Sequence, residues 1–210
     1  YSGGDPSKKD YQELFIRWFQ YGTFCPIFRA HGRRYPGDTK APNELWAYGP
    51  EVQRICTDFI KLRYRLLPYI YTLSDRVTRE HYTPMRLLAF DFPQDEKVLD
   101  CKDQFMYGPA LLVCPILEAG ATSRSVYLPE GHTWFDFWTG KKYQGGITVM
   151  AEASLSTMPL FVKAGSIIPY YMSVEKNINT DIPLEIHVFT GEDAIFNLYE
   201  DDGETIEYKE

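Results

Sequence analysis

The stretch RWFQYGTFCPIFRAHG, residues 17–32, decides the fold class of this chain. Its beginning closes a helix that the spacing of apolar residues predicts over residues 8–21. Gly22 is expected to end that helix. Residues 23–29 are mostly apolar residues that favour β structure, and they predict a short strand. The predicted buried face of the helix consists of Leu14, Phe15, Trp18 and Phe19.

A second, longer helix is predicted downstream, from near Pro50 to about Glu80. Pro50 suits the first position of a helix, and Pro68, inside the apolar pattern, predicts a bend near Leu67. Helix, strand, loop and helix form the unit that builds a β/α barrel when it is repeated around a circle. One unit cannot close a barrel, so residues 1–82 are predicted to be the remnant of one.

After residue 82 the pattern changes to short apolar runs separated by Gly, Pro and Asp. This rhythm predicts an all-β antiparallel sandwich over residues 83–172. The predicted strands fall within residues 85–90, 104–114, 125–128, 133–138, 147–150 and 160–163.

A polar stretch at residues 173–183 predicts a linker or long loop before a fresh β pattern. Residues 184–189 and 195–199 alternate as strands, but two strands do not complete a sheet of the usual size, about four to six strands. Residues 173–210 are therefore predicted to be the start of a second, truncated β module.

The composition favours a neutral or small polar partner over a nucleic acid or a membrane. The 210 residues are 44% hydrophobic with a formal net charge of −7, and the basic residues form no runs. No stretch reaches the roughly 20 apolar residues of a transmembrane helix. The four cysteines form no C-x-x-C pair, so neither a zinc site nor another cofactor is predicted. They are expected to be reduced and structural, with a disulfide as the open alternative.

His31 and Trp46 are the candidate substrate-binding residues. Ligands bind at the C-terminal ends of barrel strands, and His31 comes directly after the predicted strand at residues 23–29. Its imidazole can donate one hydrogen bond and accept another, which suits a pair of sugar hydroxyls; an ordinary loop histidine is the alternative. Trp46 lies in a loop that would flank such a pocket, where it either stacks on a sugar or packs beneath the barrel rim.

Two further patterns are interpreted structurally. Trp134 and Trp138 are expected on one core-facing side of a strand rather than as a carbohydrate-binding pair. The sequence DDG at residues 201–203 lacks the spaced aspartates of a calcium loop and predicts a turn.

Several blocks, in order along the chain, resemble glycoside hydrolase family 31. Residues 17–32 are similar to the last barrel strand of that family, and RYRLLPYIY at residues 63–71 is similar to its final barrel helix. Five further blocks are similar to the C-terminal β domains of the family: QFMYG at 104–108, LVCP at 112–115, WFDFWTG at 134–140, VKAGSIIP at 162–169 and LYEDDG at 198–203. FCPIFR at residues 24–29 and NELW at residues 43–46 are most similar to the α-xylosidase branch.

The resemblance implies a retaining glycosidase that cleaves terminal α-linked xylose or glucose from saccharides. One aspartate attacks the anomeric carbon and a second acts as acid and then base, with the carboxyl groups about 5–5.5 Å apart. In the family both precede the matched segment, so this chain is expected to hold no catalytic residue and to be inactive alone. His31 is implied to hydrogen bond a hydroxyl of the sugar. The implied partners are an α-linked oligosaccharide and the missing N-terminal part of the barrel.

A non-catalytic carbohydrate-binding or structural β module is the alternative. A binding module would retain affinity for an oligosaccharide, whereas a structural one would have none. The residues predict no compartment; analogy with polysaccharide-degrading enzymes slightly favours a secreted or periplasmic protein. A barrel remnant is also expected to expose apolar surface at Leu14, Phe15, Trp18 and residues 23–29, where the missing barrel would pack.

Overall fold

The computed structural model describes residues 5–31, 43–174 and 182–205, which form four helices, two 3₁₀ turns and three sheets. The helices are α1 (Lys9–Thr23), α2 (Pro50–Arg65), α3 (Leu67–Glu80) and the single turn α4 (Leu88–Asp91), and the 3₁₀ turns are Leu45–Tyr48 and Glu96–Val98. None of the helices in these ranges is long and apolar enough to cross a membrane.

Only two of the four residues predicted for the buried face of α1 are buried. Phe15 and Phe19 are buried, as predicted for this face but against the exposure expected of Phe15 in a barrel remnant. Leu14 and Trp18 are 43% and 58% exposed, as that second expectation had it. The helix carries two apolar stripes of side chains four residues apart, and such spacing alone gives no reason to prefer either stripe. The stripe that is buried also includes Tyr11, which lies one turn before Phe15 and stacks on the ring of Tyr48.

The bend predicted near Leu67 is confirmed. Helix α2 ends at Arg65 and α3 begins at Leu67, so that only Leu66 lies between them. Pro68 occupies the first turn of α3, where its missing N–H would have no helical partner in any case. In an unbroken helix the same ring would clash with a carbonyl of the preceding turn, and the break removes that clash.

The strand predicted at residues 23–29 is wrong. Thr23 is the last residue of α1, and residues 24–31 are turns and extended chain without strand pairing. A strand forms only where its backbone groups meet those of a neighbour. Here the carbonyl oxygens of Thr23 and Cys25 accept hydrogen bonds from the guanidinium of Arg63 in α2, at 2.6 and 2.9 Å.

The ten strands of the described residues are antiparallel to their partners. They are β1 (Met85–Leu87), β2 (Phe105–Tyr107), β3 (Leu111–Val113), β4 (Ser123–Leu128), β5 (Thr133–Asp136), β6 (Lys142–Gln144), β7 (Ile147–Glu152), β8 (Leu160–Lys163), β9 (Ser166–Tyr171) and β10 (Leu184–Phe189). One six-stranded sheet has the order β1-β2-β3-β8-β5-β6, while β4 pairs with β7 and β9 pairs with β10.

The six-stranded sheet is covered on both faces, because alternate residues of its strands enter two different cores. One core, here called the helical core, joins the sheet to α1, α2 and α3 through Leu111, Val113, Leu160 and Val162. The other, called the ribbon core, packs the sheet on the β4–β7 pair and contains Leu112, Phe161, Trp134, Val126, Leu128 and Ala151. The β4–β7 pair and the six-stranded sheet thus form a sandwich, as predicted, and the helices cover the other face of the six-stranded sheet.

A buried charge joins α1 to the β region. Arg17 is 8% exposed, and burial lowers the pKa of its guanidinium. Its two Nη atoms donate to four backbone carbonyl oxygens at 2.9–3.1 Å, those of Ala121, Ala153, Ser154 and Thr157. Glu13, one turn earlier, places a carboxylate oxygen 3.9 Å from Arg17 Nε and accepts a hydrogen bond from the amide of Gly120 at 3.0 Å. These polar contacts offset the cost of burying the charge.

The last described segment differs from the predicted second module. Strand β10 has the predicted bounds but pairs with β9, and residues 195–199 form no strand. Their backbone lies against α3 instead, because the amide of Tyr199 donates to Thr72 Oγ1 at 3.1 Å. Most of the polar stretch at 173–183, namely residues 175–181, lies outside the described residues.

The turn between β2 and β3 touches α3 at Gly108, whose φ is 63°. A Cβ there would overlap the Tyr69 hydroxyl and lie 2.8 Å from Leu73 Cδ1. That hydroxyl donates to the Tyr107 carbonyl at 2.9 Å and accepts from the Ala110 amide at 3.2 Å. Burial raises the pKa of Tyr69, so the phenol keeps the proton that it donates.

We expect Gly108→Ala to lower the free energy of unfolding by about 3 kcal/mol, because left-handed strain adds to overpacking against α3. Gly120→Ala is the matched control: its φ of 73° is similar, but nothing lies within 4 Å of the added carbon. It should cost only about 1 kcal/mol. Urea unfolding of both variants measures the difference, and equal losses would show that the contact with Tyr69 does not constrain the turn.

Candidate functional site

A pocket of about 380 Å³ lies between the last turns of α1 and the segment that follows it. We call it the His31 pocket. Its lining is mostly apolar and aromatic, and its polar side chains include Arg29, His31 and Asn43. Apolar walls with a few polar groups are typical of small-molecule sites. The wall is contributed by Phe15, Trp18, Phe19, Tyr21, Gly22, Cys25, Ile27, Phe28 and Ala30.

His31 is held at the rim of this pocket from two sides. Arg29 Nη2 lies 2.9 Å from His31 Nδ1, and because a guanidinium only donates, Nδ1 is the acceptor. In the neutral ring the proton is then on Nε2, which can donate a hydrogen bond to a ligand. Asn43 Nδ2 donates to the His31 carbonyl at 3.3 Å, and Asn43 Oδ1 accepts from the Tyr48 hydroxyl at 2.7 Å.

Trp46 is not brought into the His31 pocket. It lies in the 3₁₀ turn Leu45–Tyr48, is 65% exposed and is not among the residues that line the pocket. The NELW block reaches the pocket through Asn43 instead. Sequence reasoning missed both Asn43 and Arg29 as site residues, although Arg29 stands only two positions before His31.

The thiol of Cys25 is part of the pocket lining. Burial raises its pKa above the usual value, so the thiol is protonated at neutral pH. Its Sγ lies 3.5 Å from the Tyr21 carbonyl oxygen. All four cysteines are free, and burial likewise raises the pKa of Cys56, to about 12.

Phe28 forms the base of the pocket, where it fits against α1. Its ring meets that of Phe19 edge to face, with centroids 4.7 Å apart. The approach depends on Gly22, since a Cβ at that position would lie only 3.0 Å from Phe28 Cδ2. The glycine that was predicted to stop the helix therefore lies inside its last turn and makes room for an aromatic ring.

The tryptophan pair of the sandwich is divided between core and surface. Trp134 is wholly buried, as predicted, and its Nε1 donates to the Pro129 carbonyl at 2.9 Å. Trp138 is 41% exposed, because β5 ends at Asp136 and the chain turns before reaching it. Its Nε1 donates to the Met158 carbonyl at 2.8 Å. The core-facing position predicted for both tryptophans is therefore correct for Trp134 and wrong for Trp138.

The DDG block forms the predicted turn. Asp201 Oδ1 accepts from the Gly203 amide at 2.9 Å, and Asp202 Oδ1 accepts from the Thr205 amide at 2.9 Å. Asp201 also accepts from the hydroxyls of Tyr71 and Tyr199, each at 2.7 Å. Within the described ranges, no group of three or more His, Cys, Asp or Glu side chains is placed to hold a metal ion.

Two family models match this chain, one on each side of the junction between α3 and the sheet. Residues 2–73 match the TIM-barrel domain of the glycosyl hydrolases of family 31, and residues 81–168 match the C-terminal domain of the same family. The class is thus that of the glycoside hydrolases, enzymes that cleave sugar linkages. Within that class, the chain belongs to glycoside hydrolase family 31, as the C-terminal part of its TIM-barrel domain and the β-rich domain that follows.

Curated relatives support the same family over nearly the whole chain. The α-xylosidase of Saccharolobus solfataricus is 41% identical over 211 residues, which is 98% of this chain and 28% of that protein. α-Glucosidase 2 of Bacillus thermoamyloliquefaciens is 37% identical over 205 residues, covering 94% of this chain and 25% of that protein. The chain therefore spans about a quarter of the length of these relatives.

Solved structures show the same fold. The family 31 α-xylosidase of Xanthomonas citri is 44% identical with a TM-score of 0.86, over 95% of this chain and 21% of its own. A family 31 dextranase of Flavobacterium johnsoniae, solved with isomaltotriose, is 36% identical with a TM-score of 0.88, over 99% of this chain and 26% of its own.

The contact of Gly22 with Phe28 predicts a double-mutant cycle with a change of sign. In the Phe28→Ala background, Gly22→Ala should stabilise the chain by about 0.5–1 kcal/mol, because alanine is the better helix former. In the wild type the same change should be neutral or destabilising, since its Cβ crowds the Phe28 ring. Thermal unfolding of the four chains measures the coupling; additive effects would contradict the contact.

Proposed function

We propose that this chain is the C-terminal part of a retaining glycosidase that removes terminal α-linked xylose or glucose from saccharides. The observation that carries the proposal is the 41% identity to an α-xylosidase over 98% of the chain. α-Glucosidases match at lower identity over almost the same extent. The order of these relatives favours xylose as the sugar that is removed.

Within that enzyme, the His31 pocket is proposed as one wall of the sugar site. His31 Nε2 would donate to a sugar hydroxyl, while the aromatic lining would pack on the apolar faces of the ring. Trp46, which is exposed and outside this lining, remains a proposed stacking residue. The described residues that line the pocket include no Asp or Glu. A retaining mechanism needs two carboxylates about 5–5.5 Å apart, so both are proposed to lie outside this chain.

The fold of the first 82 residues is proposed to be the last unit of the barrel, followed by a proximal β domain to about residue 172 and the start of a distal one. A groove of about 610 Å³ supports a missing neighbour. Among its lining residues, five large apolar side chains are 43–67% exposed: Leu14, Trp18, Leu87, Phe90 and Leu117. We refer to it as the Trp18 groove. Exposed apolar surface of this kind is typical of an interface, here proposed to receive the rest of the enzyme.

The test uses the exact chain with α-xylose or glucose and follows its four histidines by ¹H–¹³C NMR. Millimolar xylose should shift the ring signals of His31 and leave those of His81, His132 and His187 in place. His132 and His187 are suitable internal controls, because each is paired with a glutamate in the β region. Chromogenic α-xyloside and α-glucoside should not be hydrolysed by the same folded sample.

Two results would count against the proposal. Hydrolysis above the level of a His31→Ala variant would place catalytic carboxylates inside this chain. A folded sample in which no sugar moves the His31 signals would mean that this pocket is no part of the sugar site. A structural accessory role for the β domains would then be the better interpretation.

A further inference from the structure

Arg63 donates hydrogen bonds to the backbone of the segment that leads to His31. From the last turns of α2, its Nη1 donates to the carbonyl oxygens of Thr23 and Cys25 at 2.6 and 2.9 Å, and its Nη2 donates to that of Pro26 at 3.3 Å. Hydrogen bonds from a charged donor are stronger than those between neutral groups. One guanidinium therefore supplies the donors that a neighbouring strand would otherwise bring to this segment.

The same guanidinium also contacts the ring at the base of the pocket. Arg63 Cζ lies 5.4 Å from the centroid of Phe28, within the range of a cation–π contact. Phe28 is thus enclosed by Arg63 on one side and by Phe19 of α1 on another. Burial raises the pKa of the nearby Tyr107, and the Arg63 charge opposes that rise.

Only Arg29 and Ala30 separate Phe28 from His31. The path of the backbone at residues 23–28 therefore determines the position of the His31 backbone. The contacts of Arg29 and Asn43 then determine the orientation of that residue. We propose that Arg63 is a positioning residue, which fixes the segment at residues 23–28 and so places His31 at its pocket. The role of His31 toward a sugar rests on the proposed function, whereas its placement by Arg63 does not.

Arginine suits this task better than lysine. Its planar fork can serve three carbonyl oxygens and a ring at once, whereas an ammonium is a single compact charge. Arg63→Lys would keep the charge near the segment but would lose part of the fork. The stability of the chain and the placement of His31 should therefore respond differently to this conservative change.

The experiment compares Arg63→Gln and Arg63→Lys with Arg54→Gln. Arg54 is the matched control, because it lies on the same helix with an exposed side chain whose observed ionic partner is Asp58. The ¹H–¹³C signals of His31 and the amide signals of residues 24–31 report placement, and urea unfolding reports stability. Titration with xylose reports affinity.

We expect Arg63→Gln to shift the His31 signals and to weaken xylose binding about tenfold, which corresponds to about 1.4 kcal/mol. Arg63→Lys should unfold close to the wild type yet still displace the His31 signals. Arg54→Gln should change neither. A purely structural role predicts instead that Arg63→Gln lowers the free energy of unfolding, as Gly108→Ala is expected to, and leaves the His31 signals of the folded chain unchanged.

Unchanged His31 signals in a folded Arg63→Gln chain would overturn the proposal. If that variant does not fold, Arg63→Lys decides: His31 signals identical to the wild type would overturn it, and displaced signals at near-normal stability would support it. If His31 moves in these variants while the wild type ignores xylose, positioning by Arg63 stands and the proposed sugar site fails.

Discussion

The structure depends on one buried guanidinium, that of Arg17. It is the point at which a helix of the barrel-domain region is attached to the loops of the C-terminal β region, through four carbonyl oxygens between residues 121 and 157. Gln20 on the next turn extends the attachment, since its Nε2 donates to the Leu155 carbonyl at 2.9 Å. Apolar packing would hold α1 near the sheet, but it has no direction. The hydrogen bonds of Arg17 fix the rotation of α1, and with it which stripe of the helix faces the core.

Arg63 repeats the same chemistry at the C-terminal end of α1. Both arginines donate mainly to backbone carbonyl oxygens, and for Arg17 the carboxylate of Glu13 lies 3.9 Å from Nε in addition. The guanidinium stays charged at any pH that a protein tolerates. The positions of α1 and of the His31 segment are consequently set by hydrogen bonds from guanidinium groups to backbone carbonyl oxygens.

Sequence patterns predicted those parts of the fold that are determined locally. Pro68 fixed the break between α2 and α3, and the bounds of β8 and β10 were found from apolar runs and turns. The strand at residues 23–29 failed because pairing is a long-range property: composition indicates a tendency to extend, not the presence of a neighbour. The prediction of the buried face of α1 failed for a related reason. The helix has two apolar stripes, and the one that is buried depends on contacts with loops far away in sequence. In the site, Arg29 could have been found from its distance to His31 in sequence, whereas Asn43 is 12 positions away along the chain.

The helical core has a consequence for how such enzymes change over evolution. Because Leu111, Val113 and Val162 of the sheet are buried against α1, α2 and α3, the boundary between the two family models cuts through a single core. A recombination event at that boundary would expose one face of the sheet and leave the helices without their packing partner. The unit that can be exchanged is therefore larger than the β domain. A lineage that replaced this domain would have to carry its three helices along, and with them one wall of the His31 pocket.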